Sequence, residues 1–233
     1  MNDGQIRDTN RIEYEYENDI NPNEKTLIGE RYTLKTSMKI LNLNVCGILN
    51  KLQNDVFISE CLSYDILCFT ESKINNVDNE KVAEVFDKCG FKIYVSNRSE
   101  MNRVRSGGIM IACKQEFTQF VTECKSKSKF IKWIRISEKA TGYGANLLLG
   151  TVYIPPRQSV YACEDVYDKL EAEVVNNVQA DDLVLLCGDF NSHTSCIVED
   201  AIQGALRKIA TQKYSISASM CGRVMKVSTY FII

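Results

Sequence analysis

The chain has 233 residues, of which 45% are hydrophobic and 25% charged, the composition of an ordinary folded protein and not of a disordered or fibrous one. It contains no run of about 18 apolar residues, so no membrane span is predicted, and its polar, acidic N-terminus lacks the apolar segment of a secretory signal. Ten cysteines without a C-x-x-C pair, together with a single histidine, argue against a structural zinc site and favour buried free thiols.

The chain is predicted to divide into three segments. Residues 1–37 lack hydrophobic periodicity and carry mixed charge, which is typical of a mobile leader. Residues 38–200 carry the strands and helices of a folded domain, and residues 201–233 form a divergent tail.

Hydrophobic patterning predicts strands and helices that interleave along this domain. Apolar runs predict strands at residues 39–46, 65–71, 91–97, 107–114, 129–137, 146–156 and 182–191. Helical spacing of apolar residues predicts helices at 50–63, 79–90 and 163–178. Because several strands follow one another without an intervening helix, the pattern favours an α/β sandwich of two mixed sheets over a doubly wound nucleotide-binding fold.

Polar residues stand at the ends of several predicted strands, where they are costly unless they are used or satisfied. They are Asn44, Glu71, Tyr153, Asp189 and Asn191. Taken singly, each has an ordinary structural interpretation: a cap for the glutamate, packing for the tyrosine, a tight turn for the others. Taken together at converging strand ends, two carboxylates, two amides and a phenol suit a hard divalent cation and a phosphate.

Five motifs follow one another in a set order: N-V-C-G-I-L-N-K-L (44–52), F-T-E-S-K (69–73), S-G-G-I-M-I (106–111), V-Y-I-P-P (152–156) and C-G-D-F-N-S-H (187–193). Together they resemble the endonuclease/exonuclease/phosphatase superfamily, and most of all the apurinic-endonuclease-like endonuclease domain of non-LTR retrotransposons. The resemblance implies a DNase I-like fold, a four-layer α/β sandwich of two mixed sheets flanked by helices, lacking its last strands. It also implies a Mg²⁺-dependent (or Mn²⁺-dependent) phosphodiesterase that nicks DNA, and a nuclear site of action if the DNA is genomic.

The same resemblance assigns a role to each strand-end residue. Glu71 resembles the family's metal-ligand glutamate, and Asn44 the asparagine of the phosphate and metal network. Tyr153 resembles the tyrosine that contacts the scissile phosphate. Asp189 resembles the aspartate that activates or orients the attacking water and assists with the metal, and Asn191 resembles its partner on the phosphate or transition state.

The sequence departs from the family pattern in two places. Cys46 stands where many members have an acidic residue, and the late Asp and Ser-Asp-His motifs that close the family's site are missing. We interpret His193, within the G-D-F-N motif, as a loop histidine and not as their replacement. The missing late motifs imply a poor or inactive nuclease and an unpaired edge on the second sheet. The alternatives are a non-catalytic remnant that keeps a nucleic-acid surface, or a small-molecule phosphodiesterase or phosphatase of the same superfamily.

Positive charge is concentrated between Arg98 and Arg135, where nine Lys or Arg residues stand against three Glu. Arg98, Arg103 and Arg105 are candidate phosphate contacts in one predicted loop, and three lysines at 125, 127 and 129 lie in another. The alternative interpretation of this charge is a solvated face.

Overall fold

The structure is a computed structural model that describes residues 38–98, 106–142, 144–191 and 230–232. The predicted leader lies outside these stretches, as do Arg103, Arg105, His193 and all of the tail except residues 230–232.

Nine strands occur among the described residues: β1 (Ile40–Asn44), β2 (Ile66–Thr70), β3 (Phe91–Ser96), β4 (Ile109–Lys114), β5 (Val121–Cys124), β6 (Ile131–Ile136), β7 (Leu147–Tyr153), β8 (Leu183–Asp189) and β9 (Tyr230–Ile232). The α-helices are α1 (Ile48–Lys51), α2 (Asp55–Leu62), α3 (Asn79–Lys88), α4 (Glu138–Thr141) and α5 (Val166–Asn177). None of the described helices combines the length and hydropathy that a membrane span requires.

The strands form two mixed sheets, one in the order β1-β2-β4-β3 and the other in the order β5-β6-β7-β8-β9. Each sheet contains one parallel pair, β1 with β2 and β7 with β8, and its other described pairings are antiparallel. Parallel neighbours place their carboxyl ends at the same edge of a sheet. The last residues of β1 and β2 therefore lie side by side, as do those of β7 and β8.

The two sheets pack face to face, and helices cover their outer faces. The layer between the sheets contains Cys68 and Ile111 from the first sheet and Ile134 and Leu149 from the second, all fully buried. The outer face of the first sheet packs on α1, α2 and α3, and that of the second packs on α5. This arrangement confirms the predicted α/β sandwich of two mixed sheets flanked by helices.

The structure differs from the sequence-based elements at several boundaries. The helix predicted at 50–63 is two helices, because the Asn54 side chain accepts hydrogen bonds from two backbone N–H groups and starts α2 anew. The strands β5 and β9 and the short helix α4 were not predicted. Since β9 pairs with β8, the expected unpaired edge does not lie at β8.

Candidate active site

The first part of the site joins the two sheets through β1 and β8. Asn44, the last residue of β1, donates from Nδ2 to Asp189 Oδ2 at 2.9 Å. The other carboxylate oxygen of Asp189 accepts the backbone N–H of Asn191 at 3.1 Å, and Asn191 Nδ2 donates to the carbonyl of Ile154 at 2.8 Å. Asp189 therefore has each oxygen fixed by one donor, and Asn44 stays exposed beside it.

The second part of the site joins the two sheets through β2 and β7. Tyr153, the last residue of β7, is 1% exposed, and its hydroxyl donates to Glu71 Oε1 at 2.8 Å. Glu71 directly follows β2, and its side chain is 20% exposed, so the carboxylate faces solvent on one side. Tyr153 is also the register partner of Asp189 in the β7–β8 ladder. The two parts thus meet at one end of the sandwich.

A lysine lies between Glu71 and the loop that follows β1. Lys73 Nζ is 3.5 Å from Glu71 Oε2 and donates to Cys46 Sγ at 3.3 Å. The hydrogen bond to Cys46 raises the pKa of Lys73, partial burial lowers it, and Glu71 raises it further. Lys73 is therefore positively charged at neutral pH, and its charge lies next to the Glu71 carboxylate.

The backbone at this end is held in unusual conformations. Cys46, Glu71, Lys73 and Asn191 all have positive φ, between 44° and 55°, a region that is costly for residues other than glycine. Gly188 has φ 142°, and a Cβ placed on it would lie 1.9 Å from the Val152 carbonyl oxygen. Only glycine fits there, directly before Asp189. Such strain persists where the surrounding structure fixes it, and it is typical of functional loops.

The sequence that forms this site matches the pattern of a known protein family. The pattern described as "Endonuclease/Exonuclease/phosphatase family" matches residues 41–198. The chain belongs to this family. The matched range contains both parts of the site.

Solved structures of similar fold include nucleases and a phosphatase. An AP endonuclease from Archaeoglobus fulgidus is 17% identical, with a TM-score of 0.54 over 84% of this chain and 86% of that one. A 3'-5' exonuclease from Neisseria meningitidis is 16% identical, with a TM-score of 0.54 over 84% and 86%. A Neisseria 3' phosphatase bound to product DNA hairpin is 17% identical, with a TM-score of 0.52 over 73% and 71%. At these identities the likeness concerns the fold. No curated protein sequence matches the chain.

The structure brings together the five predicted site residues of this family member, and their roles remain predictions. Among the basic candidates, Arg98 lies at the end of the first sheet that carries Glu71. Its backbone N–H donates to the Ile74 carbonyl, and its side-chain Nε donates to Asn75 Oδ1 at 2.6 Å. Arg103 and Arg105 lie outside the described residues.

Two polar residues at the site were not singled out from the sequence. Lys73 belongs to the F-T-E-S-K motif, and its position two residues after Glu71 was the available signal. Asn42 Nδ2 points at the Gly188 carbonyl at 3.4 Å. The two-residue period of a strand places Asn42 on the same face of β1 as Asn44, and this spacing could have identified it.

The donor atoms at this end suit a hard cation better than a soft one. Glu71 and Asp189 supply carboxylate oxygens, and Mg²⁺ binds through one or two carboxylates while keeping several waters. Within the described residues, no group of three or more His, Cys, Asp or Glu side chains is placed to enclose a metal ion. The residues therefore fit an open, water-rich Mg²⁺ or Mn²⁺ site and not a closed all-protein cage.

Proposed function

We propose that the chain is a Mg²⁺-dependent (or Mn²⁺-dependent) phosphodiesterase that nicks DNA, of the kind found in non-LTR retrotransposons, and that it acts in the nucleus where its DNA is genomic. One observation carries the proposal. Glu71 directly follows β2 of one sheet and Asp189 ends β8 of the other. Tyr153 links them, because it donates to Glu71 and is the register partner of Asp189. Two carboxylates held in this way suit metal-assisted attack on a phosphodiester.

In this proposal Glu71 and Asp189 hold the divalent cation, which neutralises charge that develops on the phosphate oxygens. Tyr153 fixes the orientation of Glu71 through its 2.8 Å hydrogen bond, and Asn44 fixes Asp189 through its 2.9 Å bond. Asp189 orients the attacking water. In this proposal Asn44 and Tyr153 also contact the scissile phosphate, as their resemblance to the family's residues implies.

The proposed activity is slow. The sequence has no Ser-Asp-His motif, and its one histidine, His193, belongs to the G-D-F-N motif. Loss of one preorganised donor to a developing oxyanion costs about 10²–10³ in rate. A non-catalytic remnant that still binds nucleic acid is the second candidate, and the same missing motif favours it.

DNA is favoured over a small phosphoester by the basic sequence segment that begins at Arg98. Arg98 lies at the same end of the first sheet as Glu71, within the segment where nine basic residues stand against three acidic ones. A basic segment suits a polyanion, because each phosphate contact adds to affinity through counterion release.

A substrate panel tests the proposal. The full chain is incubated with Mg²⁺ and supercoiled plasmid, an abasic-site duplex, bis(4-nitrophenyl) phosphate or 4-nitrophenyl phosphate. Glu71→Ala is the test variant. Glu84→Ala is its matched control, because Glu84 is exposed on α3 and pairs with Lys88. We expect slow Mg²⁺-dependent cleavage of DNA that Glu71→Ala abolishes and Glu84→Ala keeps.

The other outcomes would contradict the proposal in different ways. Hydrolysis of the small esters without DNA cleavage would assign a small-molecule phosphodiesterase or phosphatase. DNA binding without cleavage of any substrate would assign the remnant.

A further inference from the structure

A buried carboxylate on α5 organises the loop between β5 and β6. Glu173 is 4% exposed, and no described lysine or arginine forms an ion pair with it. It accepts hydrogen bonds from the backbone N–H groups of Lys127 (2.6 Å) and Ser128 (2.7 Å) and from the side chains of Ser126 (3.1 Å), Trp133 (3.2 Å) and Asn177 (3.2 Å). A buried carboxylate is stable when its lone pairs are satisfied in this way, so the loop's conformation is tied to Glu173.

Residues 125–129, here called the lysine loop, alternate between half-buried and exposed side chains. Ser126 and Ser128 are half-buried, and they contact Glu173 through the Ser126 hydroxyl and the Ser128 backbone N–H. Lys125, Lys127 and Lys129 are exposed. The segment contains no acidic residue. No ion pair with any described residue engages these three lysines, and Lys129 lies over the ring of Phe130 at 5.8 Å. The three lysine side chains therefore face solvent, and Glu173 fixes the backbone at the centre of their loop.

The lysine loop lies at the site's end of the second sheet. Phe130, which directly follows the loop, accepts the backbone N–H of Tyr153 at 2.9 Å. Ile131, the first residue of β6, pairs with Val152, the residue before Tyr153. The lysine loop therefore lies next to the end of β7 that carries Tyr153.

We infer that the lysine loop is a docking surface for the phosphate backbone of duplex DNA and that Glu173 is its positioning residue. The inference rests on the proposed function for the choice of DNA. An exposed lysine contributes to phosphate binding as a point charge. Because the loop is already fixed before DNA binds, binding costs less conformational entropy. Glu173 acts only through the loop it holds.

The first test measures binding and not cleavage. Affinity of the full chain for a duplex oligonucleotide is measured in EDTA over a range of salt concentrations. The test variant is Lys125→Gln/Lys127→Gln/Lys129→Gln. The control neutralises three exposed lysines at the opposite strand ends or on the neighbouring helices: Lys88→Gln/Lys92→Gln/Lys139→Gln.

Each lost phosphate contact lowers the slope of log affinity against log salt by about 0.9 for duplex DNA, so the test variant should lose about 2–3 units of slope. The control should keep the wild-type slope. An unchanged slope in the test variant, or an equal loss in the control, overturns the docking surface. A slope loss seen with single-stranded RNA and not with duplex DNA overturns the choice of partner.

The second test addresses Glu173. Glu173→Gln replaces one carboxylate oxygen, which accepts hydrogen bonds, with an amide N–H₂ group, which donates them. The loop's N–H groups then lose an acceptor, so the loop should lose its fixed conformation. The three lysines remain, and we expect DNA affinity to fall severalfold with the salt slope nearly unchanged. In the background of the three Lys→Gln substitutions, Glu173→Gln should have no further effect on affinity.

A merely structural role for Glu173 would instead lower affinity by the same factor in both backgrounds, and that result overturns the positioning role. If Glu173→Gln does not fold by circular dichroism, Ser126→Ala/Ser128→Ala removes loop hydroxyls and leaves the carboxylate, and it should show the same background dependence. Because binding is measured without Mg²⁺, failure of the docking surface and failure of catalysis are separate results.

Discussion

Substitution of Tyr153 by Phe removes one hydroxyl and no other part of the site. The hydroxyl donates to Glu71 Oε1 at 2.8 Å from a ring that is 1% exposed. A hydrogen bond to a charged group contributes about 1.5–3 kcal/mol to stability. Because the Glu71 side chain is 20% exposed, water can replace part of this bond. We therefore expect Tyr153→Phe to cost about 1–2 kcal/mol, around and below the low end of that range.

For a domain of this size, that loss lowers the melting temperature by about 2–8 °C. The effect on activity should be larger, because Tyr153 orients the carboxylate proposed to hold the cation. Loss of a residue that orients a metal ligand costs about 10–100-fold in metal affinity or activity. Thermal melts followed by circular dichroism and Mg²⁺-dependent plasmid nicking measure the two effects.

Tyr94→Phe is the matched control. Its hydroxyl is also buried, yet it makes no hydrogen bond with any described residue. Removal of an unsatisfied hydroxyl should leave stability unchanged or raise it, with no effect on nicking. If Tyr153→Phe behaves like Tyr94→Phe in both assays, the hydrogen bond to Glu71 contributes neither stability nor orientation, and the reasoning fails.

Three further predictions concern the backbone, the charge balance and the pH dependence. Gly188→Ala should destabilise the fold by more than about 3 kcal/mol in urea unfolding, because its Cβ would lie 1.9 Å from the Val152 carbonyl oxygen; a wild-type midpoint would contradict it. Lys73→Gln should raise Mg²⁺ affinity about two- to fivefold by calorimetry, since a partly exposed ion pair with Glu71 contributes about 0.5–1 kcal/mol; unchanged affinity would remove Lys73 from the site's charge balance. Burial raises the pKa of Tyr94 to about 12, above its value of about 10 in the unfolded chain. Ionisation of Tyr94 therefore leaves stability unchanged below pH 10 and lowers it as the pH rises to 12, because the unfolded chain loses this proton first. Tyr94→Phe should lose less stability than wild type over that interval, and parallel curves would refute the linkage.

The sequence predicted much of the fold because strand burial leaves a clear pattern. The continuous apolar run that became β2 has all five residues buried, and fully buried strands are recognisable from such runs. The strand β5 was missed because only half-buried and exposed residues compose it. The strand β9 was missed because it has three residues, too few for a periodic pattern. Its pairing with β8 depends on distant parts of the chain.

The candidate site was partly predictable for a different reason. Strand ends are readable from the sequence, so Asn44 and Asp189 could be placed at the edges of their sheets. That Asn44 donates to Asp189 across the two sheets required the packing of the sandwich. The same holds for Glu173, which in the sequence is one acidic residue in a helix. Two of its donors, the backbone N–H groups of Lys127 and Ser128, come from a loop more than 40 residues earlier in the chain, and no local pattern indicates such a contact.

A double-mutant cycle of plasmid nicking tests the central claim, that Glu71 and Asp189 form one phosphodiesterase site, most directly. Initial rates with Mg²⁺ are compared for wild type, Glu71→Ala, Asp189→Ala and the double variant. Residues that act as one unit have strongly non-additive effects. The account predicts slow nicking by wild type, loss of that nicking in each single variant, and no further loss in the double variant. Nicking that survives both single substitutions, or a wild-type chain that never nicks DNA, would contradict it.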